Sequence, residues 1–331
     1  MKTNKTYKYY FIAGEASGDL HGGNLIKAIK TLNPSIGFYG IGGRSMEKEG
    51  LRSLVSLKKL AVLGFWEVFK KLFFFLNLKK QVLQDIQQLK PDKIILIDYP
   101  GFNLKLAKAI KQKSSIPIIY YISPQLWAWK EKRIKIIKEN IDKMIVLFPF
   151  EKEWYQKRGL SVFYFGHPLI ETHNHFLKSY CATNHSSKYT IALLPGSRKQ
   201  ELKRHLPIYK KTIYELNKTN LNIHYIIKLF DFQNFNAKED LGLHKNFSIE
   251  KGESFKAFHD SCFALVASGT ATLEGAIANT PMAVIYQTSW ISWILAKCFL
   301  RIPFVSLVNI LNKEKVVEEF IQHHAKPKII A

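Results

Sequence analysis

Acidic residues are scarce in this chain. Its 26 Asp and Glu stand against 49 Lys and Arg, a formal charge of +23. Such an imbalance suits an anionic partner: nucleic acid, an acidic membrane face or a phosphorylated substrate. A genome-wide lysine habit produces the same excess, so charge alone does not choose among them. Cysteine is nearly absent. Cys181, Cys262 and Cys298 are odd in number and none lies in a C-x-x-C, which excludes a disulfide framework and a cysteine zinc site. No apolar run reaches the roughly 18 residues that span a bilayer. The opening residues turn glycine-rich and acidic too soon for a signal peptide. The expectation is a cytoplasmic chain in a reducing compartment. Walker A and G-x-S-x-G motifs are missing, which removes support for kinase and hydrolase chemistry. Without a D-x-D, a metal bridging a nucleotide diphosphate is not indicated, and neither a metal nor another cofactor is expected.

What is present is alternation. The chain has 331 residues, 47% of them apolar, enough for two domains with sizeable cores. Short β-branched and aromatic runs alternate with helix-like stretches: "YYFIAG", "IGFYGIGG", "DKIILID", "IPIIYYIS", "KMIVLFPF" and "VFYFGHP". "DKIILID" is almost uninterruptedly apolar, as a parallel strand covered on both faces must be. A polar stretch at 178–188 reads as a linker, after which the pattern restarts with "YTIALLPGSR", "IHYIIKLF", "CFALVAS" and "PMAVIY". The fold class is α/β, with two Rossmann-like domains of mostly parallel sheet, residues 1–175 and 176–331. Ligands of open α/β sheets bind beyond the carboxyl ends of the strands, so the site is expected in the cleft that such a pair would face.

Several loops carry candidate chemistry. "FIAGEASGDLHGGNL" has glycines at 14, 18, 22 and 23, not the G-x-G-x-x-G spacing, and Glu15 and Asp19 put negative charge where a phosphate would sit. "LLPGSRKQEL" is a strand, a turn at Pro195 and Gly196, a cap candidate in Ser197 and a basic fork in Arg198 that suits a diphosphate. An ordinary turn with a solvated arginine has the same sequence. In "ALVASGTATLEGAIANTPMAVIY", Ser268, Gly269 and Thr270 open a helix whose N–H groups suit an anion, and Glu274 lies one turn on, within reach of ribose hydroxyls. A plain N-cap with a solvated Glu274 is the simpler account. Asp98 ends the strand "DKIILID", where partial burial would raise its pKa toward general-base use; capping the next helix is the alternative. Segment 60–83 combines Phe65, Trp66, Phe69 and Phe73 with lysines, which fits either a core helix or insertion at a bilayer interface. "WISWILAKCFLRIPF" at 290–304 is a second such stretch. Trp127 and Trp129 precede a basic helix, but no nucleic-acid-binding motif accompanies them, and no nucleic-acid partner is expected.

Nine blocks occur in order: "AGEASGD", "LAVLGFWEV", "IDYPGFN", "YYISPQLWAWKEKR", "VLFPFEKEWY", "FGHPL", "LLPGSR", "ASGTATLE" and "VSLVNIL". Together they closely resemble lipid-A-disaccharide synthase, a bacterial glycosyltransferase family of the GT-B type, from about residue 9 to 323. The resemblance implies condensation of UDP-2,3-diacylglucosamine with 2,3-diacylglucosamine 1-phosphate (lipid X), with inversion, to a β-1',6-linked disaccharide 1-phosphate and UDP. It implies Asp98 as the base. Gly196, Ser197, Arg198, Ser268, Gly269, Thr270, Glu274 and Asn309 would hold UDP. Glu15, Ser17 and Asp19 would line the acceptor side, the loop's glycines admitting sugar and acyl chains. Phe65, Trp66, Phe69 and Phe73 would meet acyl chains and membrane. A peripheral protein on the inner face of a Gram-negative cytoplasmic membrane, in some cases a homodimer, follows. Two departures stand out: Gly101 replaces the acid of the family's "PDFN", and Val308 replaces a proline. The family also leads one to expect further C-terminal helices beyond "VVEEFIQ". The alternatives are another UDP-N-acetylglucosamine enzyme of this fold, such as a 2-epimerase or cell-wall precursor transferase, or a lipid-binding relative without turnover.

Overall fold

A computed structural model describes residues 6–56, 68–181, 189–219, 221–229, 235–252, 254–290, 293–294 and 303–331. Phe65, Trp66, most of 290–304 and the core of the 178–188 linker lie outside the described residues, as does the side chain of Phe69. The chain divides into two compact units, 1–168 and 169–331.

In the first unit, strands β1 (Lys8–Ala13), β2 (Gly37–Gly42), β3 (Leu51–Ser56), β4 (Lys93–Ile97), β5 (Ile118–Tyr121), β6 (Lys143–Val146) and β7 (Phe163–Tyr164) form one sheet. Among the described residues its order is β3-β2-β1-β4-β5-β6-β7 with every pair parallel. Helices α1 (Ala16–Leu32), α2 (Arg44–Lys48), α3 (Val68–Leu89), α4 (Pro100–Lys111), α5 (Ile134–Asn140) and α6 (Pro149–Gln156) make the crossovers. The period-two side-chain rule splits the core. Tyr10, Ile12, Ile94 and Leu96 face Val82, Ile86 and Leu106 on one side, while Phe11, Ala13, Ile95 and Ile97 face Ile26 and Met46 on the other. Strand order reverses between the neighbours β1 and β4, and beyond their carboxyl ends such a sheet opens a crevice.

The second unit repeats the plan. Strands β8 (Tyr189–Leu194), β9 (Ile223–Leu229), β10 (Phe247–Lys251), β11 (Phe263–Ala267), β12 (Met282–Tyr286) and β13 (Glu318–Ile321) run in the order β10-β9-β8-β11-β12-β13, again all parallel. They alternate with α8 (Lys199–Leu216), α9 (Phe255–His259), α10 (Thr270–Ile277) and α11 (Leu307–Asn312), and α12 (Pro327–Ile330) follows. The reversal falls between β8 and β11, so the loops "PGSR" and "SGT" leave adjacent strand ends. Helix α7 (Pro168–Leu177) belongs to this unit because His173 and Phe176 stack on Phe255 and His259 of α9, at ring separations of 4.8–6.0 Å.

Candidate active site

At the crevice of the first unit stands Asp98. Asp98 and Tyr99 both take left-handed backbone conformations, φ 44° and 50°, which side-chain-bearing residues adopt at a cost. The turn is held from below. The Asp98 carbonyl accepts the Tyr120 hydroxyl at 2.6 Å and the Asn103 amide nitrogen at 2.7 Å. Asn103 also reaches the Ile97 carbonyl at 3.2 Å. Strain at the strand end is thus balanced by two buried polar side chains. Asp98 does not cap α4: Tyr99 holds the N-cap position, and the Asp98 carboxylate accepts the Tyr99 N–H instead. Burial, and then the nearby Glu15 carboxylate, push the Asp98 carboxyl up to about 6. Two acids from neighbouring strand ends therefore meet here, one of them poised near neutrality.

The glycine-rich loop has a packing role in its own unit. A Cβ on Gly14 would collide with the Tyr99 ring, and Tyr99 packs on Phe102 and on Phe75 of α3. Gly22 abuts Met46 and Ile97, and a Cβ on Gly23 would lie 2.9 Å from the Ser45 carbonyl oxygen. These glycines let α1 approach the sheet and α2. Asp19 is likewise spent internally. Buried to 6% exposure, it accepts the N–H groups of Gly43, Ser45 and Met46 at 2.7, 3.0 and 3.1 Å, capping α2. Glu15 and Ser17 are exposed, and Glu15 is near enough to Asp98 to act on its charge.

In the second unit, Gly196 turns the chain at φ 116°. The expected cap, Ser197, is displaced by one residue: Arg198 sits at the N-cap of α8. Glu201 accepts the N–H groups of Ser197 and Arg198 at 3.0 and 3.1 Å and pairs with the Arg198 guanidinium at 3.1 Å. An internal carboxylate therefore satisfies the N–H groups of this turn. The Arg198 side chain is 71% exposed. At the neighbouring strand end Gly269, φ 143°, is the N-cap of α10 with no side chain capping it and open space around its Cα. The Ser268 hydroxyl does not cap; it donates to the Val305 carbonyl at 2.8 Å. Thr270 is exposed at the helix start, and Glu274 is half-buried one turn on.

Asn309 presents nothing to a ligand. It is fully buried; its amide nitrogen donates to Val317 and Glu319 at 2.9 and 2.8 Å, and its oxygen accepts the Val316 and Val317 N–H groups at 2.8 and 2.9 Å. Glu319 also accepts the N–H of Val305, whose carbonyl takes Ser268. Asn309 thus braces the segment that holds the α10 loop. His205 escaped the sequence reading. Buried in α8, it joins the Pro195 carbonyl at 2.8 Å to the Gln287 N–H at 3.0 Å, and burial keeps it neutral. Phe73 of the aromatic–lysine segment is 65% exposed and Leu76 is 53% exposed. Among the described residues no helix is long and apolar enough to cross a membrane.

Two Rossmann-like parallel-sheet domains, with polar loops at each switch point, make this a GT-B fold protein. Solved structures of that fold align over nearly the whole chain. A Neisseria meningitidis UDP-GlcNAc 2-epimerase bound to UDP-GlcNAc gives a TM-score of 0.57 at 12% identity, covering 93% of this chain and 90% of that one. Arabidopsis thaliana UGT89C1 complexed with UDP-L-rhamnose gives 0.58 at 11%, covering 98% and 89%. The lipid-A-disaccharide synthetase family matches residues 9–331. Lipid-A-disaccharide synthase 1 of Legionella pneumophila (strain Paris) is 38% identical over 323 residues, 94% of this chain and 83% of that protein. The synthase of Syntrophus aciditrophicus (strain SB) is 37% identical, covering 97% and 85%. The chain belongs to the lipid-A-disaccharide synthase family and is a glycosyltransferase of lipid A biosynthesis.

Proposed function

We propose that this chain transfers the diacylglucosamine of UDP-2,3-diacylglucosamine to the 6-hydroxyl of 2,3-diacylglucosamine 1-phosphate, with inversion. Asp98 is the base. Its carboxylate takes the proton of the acceptor 6-hydroxyl as that oxygen bonds to the donor's anomeric carbon; the bond from that carbon to the UDP oxygen breaks, and UDP leaves. The α linkage of the donor becomes the β linkage of the product, which requires one in-line displacement and one base. The raised pKa of Asp98, beside Glu15 at the switch point, carries this reading: a carboxyl near 6 is ionised at neutral pH yet basic enough to accept a proton.

The second unit takes the donor. Arg198 and the uncapped start of α10 at Gly269–Thr270 would neutralise the departing diphosphate, with Gly196 and Ser197 giving it backbone room once Arg198 swings off Glu201. Glu274 would hold the ribose. Glu15 and Ser17 would meet the acceptor sugar. The exposed Phe73 and Leu76 of α3, with the lysines beside them, would rest on the membrane that holds both substrates.

The test is disaccharide formation from the two substrates in detergent with EDTA present. Turnover that disappears in Asp98→Asn supports the reading. Near-normal turnover in that variant removes Asp98 as the base, and binding of lipid X without turnover in the unaltered chain overturns the transferase assignment.

A further inference from the structure

The loop after β5 ends in a cationic and aromatic cluster to which the reading above gives no task. Trp129 is 44% exposed, with the Lys130 ammonium 4.1 Å and the Arg133 guanidinium 6.0 Å from its ring centre. Among the described residues neither cation has a carboxylate within salt-bridge distance. The acid between them, Glu131, pairs with Arg158 at 2.6 Å. Burial and the Arg133 charge lower the Lys130 pKa, so two like charges stand together uncompensated. Lys130 also holds a left-handed backbone, φ 56°, and Ile122 at the root of the loop another, φ 67°.

The loop is built to keep this arrangement. Glu151, 2% exposed, accepts the Ser123 hydroxyl at 2.9 Å and the Trp127 indole N–H at 3.2 Å. Its other oxygen accepts the N–H groups of Leu147 and Phe148, both at 3.1 Å, and the Tyr155 hydroxyl donates to the Pro124 carbonyl at 3.0 Å. The cluster is linked to the base through one residue. The Arg133 charge acts on the buried Tyr120 phenol, whose hydroxyl holds the Asp98 carbonyl.

We propose that Trp129, Lys130 and Arg133 form the subsite for the phosphate monoester of the acceptor sugar, placing its 6-hydroxyl toward Asp98. This rests on the acceptor named above. Two unpaired cations match a monoester dianion, whereas a phosphodiester headgroup carries a single charge. The aromatic face is an apolar wall for the sugar.

The decisive measurement is kcat/KM for 2,3-diacylglucosamine 1-phosphate and for its dephosphorylated form, in the intact chain and in Lys130→Met/Arg133→Met. The expected result is a preference for the phosphorylated acceptor that falls at least tenfold in the double variant, while the KM for the UDP-sugar moves less than twofold. Lys130→Arg keeps the preference. A double variant that retains the full preference overturns the proposal. If the double variant does not fold, Arg133→Met alone is read in the same way. If the unaltered chain makes no disaccharide, the catalytic reading fails and calorimetry still decides the subsite. Glucosamine 1-phosphate must bind at least tenfold tighter than glucosamine, and lose that margin in the variant; an equal affinity for both sugars overturns it. Should the variant lose binding to phosphatidylglycerol vesicles yet keep its acceptor preference, the cluster serves membrane headgroups and the proposal falls.

Discussion

Asp98 is costly to the fold at neutral pH. Its carboxyl titrates near 6 in the native chain and near 3.8 when exposed, so the native state binds the proton more tightly than the unfolded one. The stability penalty is full above about pH 6 and is relieved as pH falls toward 4. Asp98→Asn is therefore expected to lower kcat by about 100-fold to 10,000-fold and to raise stability at pH 7.5 by about 2 kcal/mol, read from urea unfolding. A loss of stability instead would show that the carboxylate is a structural anchor. Glu15 is the second cause of the shift, after burial. Glu15→Gln should move the acid limb of kcat/KM to lower pH without returning it to the ordinary carboxylate range, because burial remains. An unmoved limb would mean that Glu15 does not act on Asp98. Both acids were visible in the sequence, Asp98 from its strand end and Glu15 from its loop. The partners that hold the site were not. Tyr120 and His205 do their work through contacts that only the fold brings together, Tyr120 with Asp98 across 22 positions and His205 with Gln287 across 82, while Asn103 and Glu201 act on near neighbours in a local geometry that residue type alone does not announce.

At the scale of elements, legibility followed burial. Interior strands such as β4 and β11 read as unbroken apolar runs because both faces are covered. Three edge strands went unread: Leu51–Ser56, Phe247–Lys251 and Glu318–Ile321 each lie at or beside a sheet border and carry polar or charged residues in place of such a run. The spacing of the α1 glycines does not say which neighbour comes close. Gly23→Ala decides their role. If Gly23 exists for the α1–α2 contact, the added methyl meets the Ser45 carbonyl and costs about 1–3 kcal/mol in unfolding free energy, with the acceptor KM nearly unchanged. A raised KM at unaltered stability would restore the ligand-facing role. In the second unit His205 ties the phosphate-loop candidate to the end of β12. His205→Ala leaves the Pro195 carbonyl and Gln287 N–H unpaired and should cost about 2–4 kcal/mol. The native chain holds His205 neutral, so its contribution is lost as pH falls below about 6.5, where the unfolded imidazole takes a proton. The variant's stability should fall less steeply over that range, and an identical slope would assign the acid sensitivity elsewhere.

For the whole molecule, the two units repeat one plan with different groups at their switch points. The first places carboxylates beyond β1 and β4; the second places an arginine and an uncapped helix start beyond β8 and β11. The excess of +23 acts over the surface of both units. The membrane contact proposed above would have two separable parts. Basic residues near an anionic leaflet contribute about 1 kcal/mol each, screened by salt. Burying Phe73 and Leu76 in the interface contributes about 1–2 kcal/mol each and is not screened. Sedimentation with phosphatidylglycerol vesicles should therefore weaken steeply between about 50 and 500 mM salt, where the Debye length shrinks from over 10 Å to about 4 Å, and level off at a residual binding. Lys79→Gln/Lys80→Gln should reduce the low-salt binding and leave that plateau in place. Phe73→Ala/Leu76→Ala should remove the plateau while the salt slope persists. A plateau that survives the second pair would place the apolar contact away from α3, and an absence of salt dependence in the native chain would detach its charge from the membrane altogether.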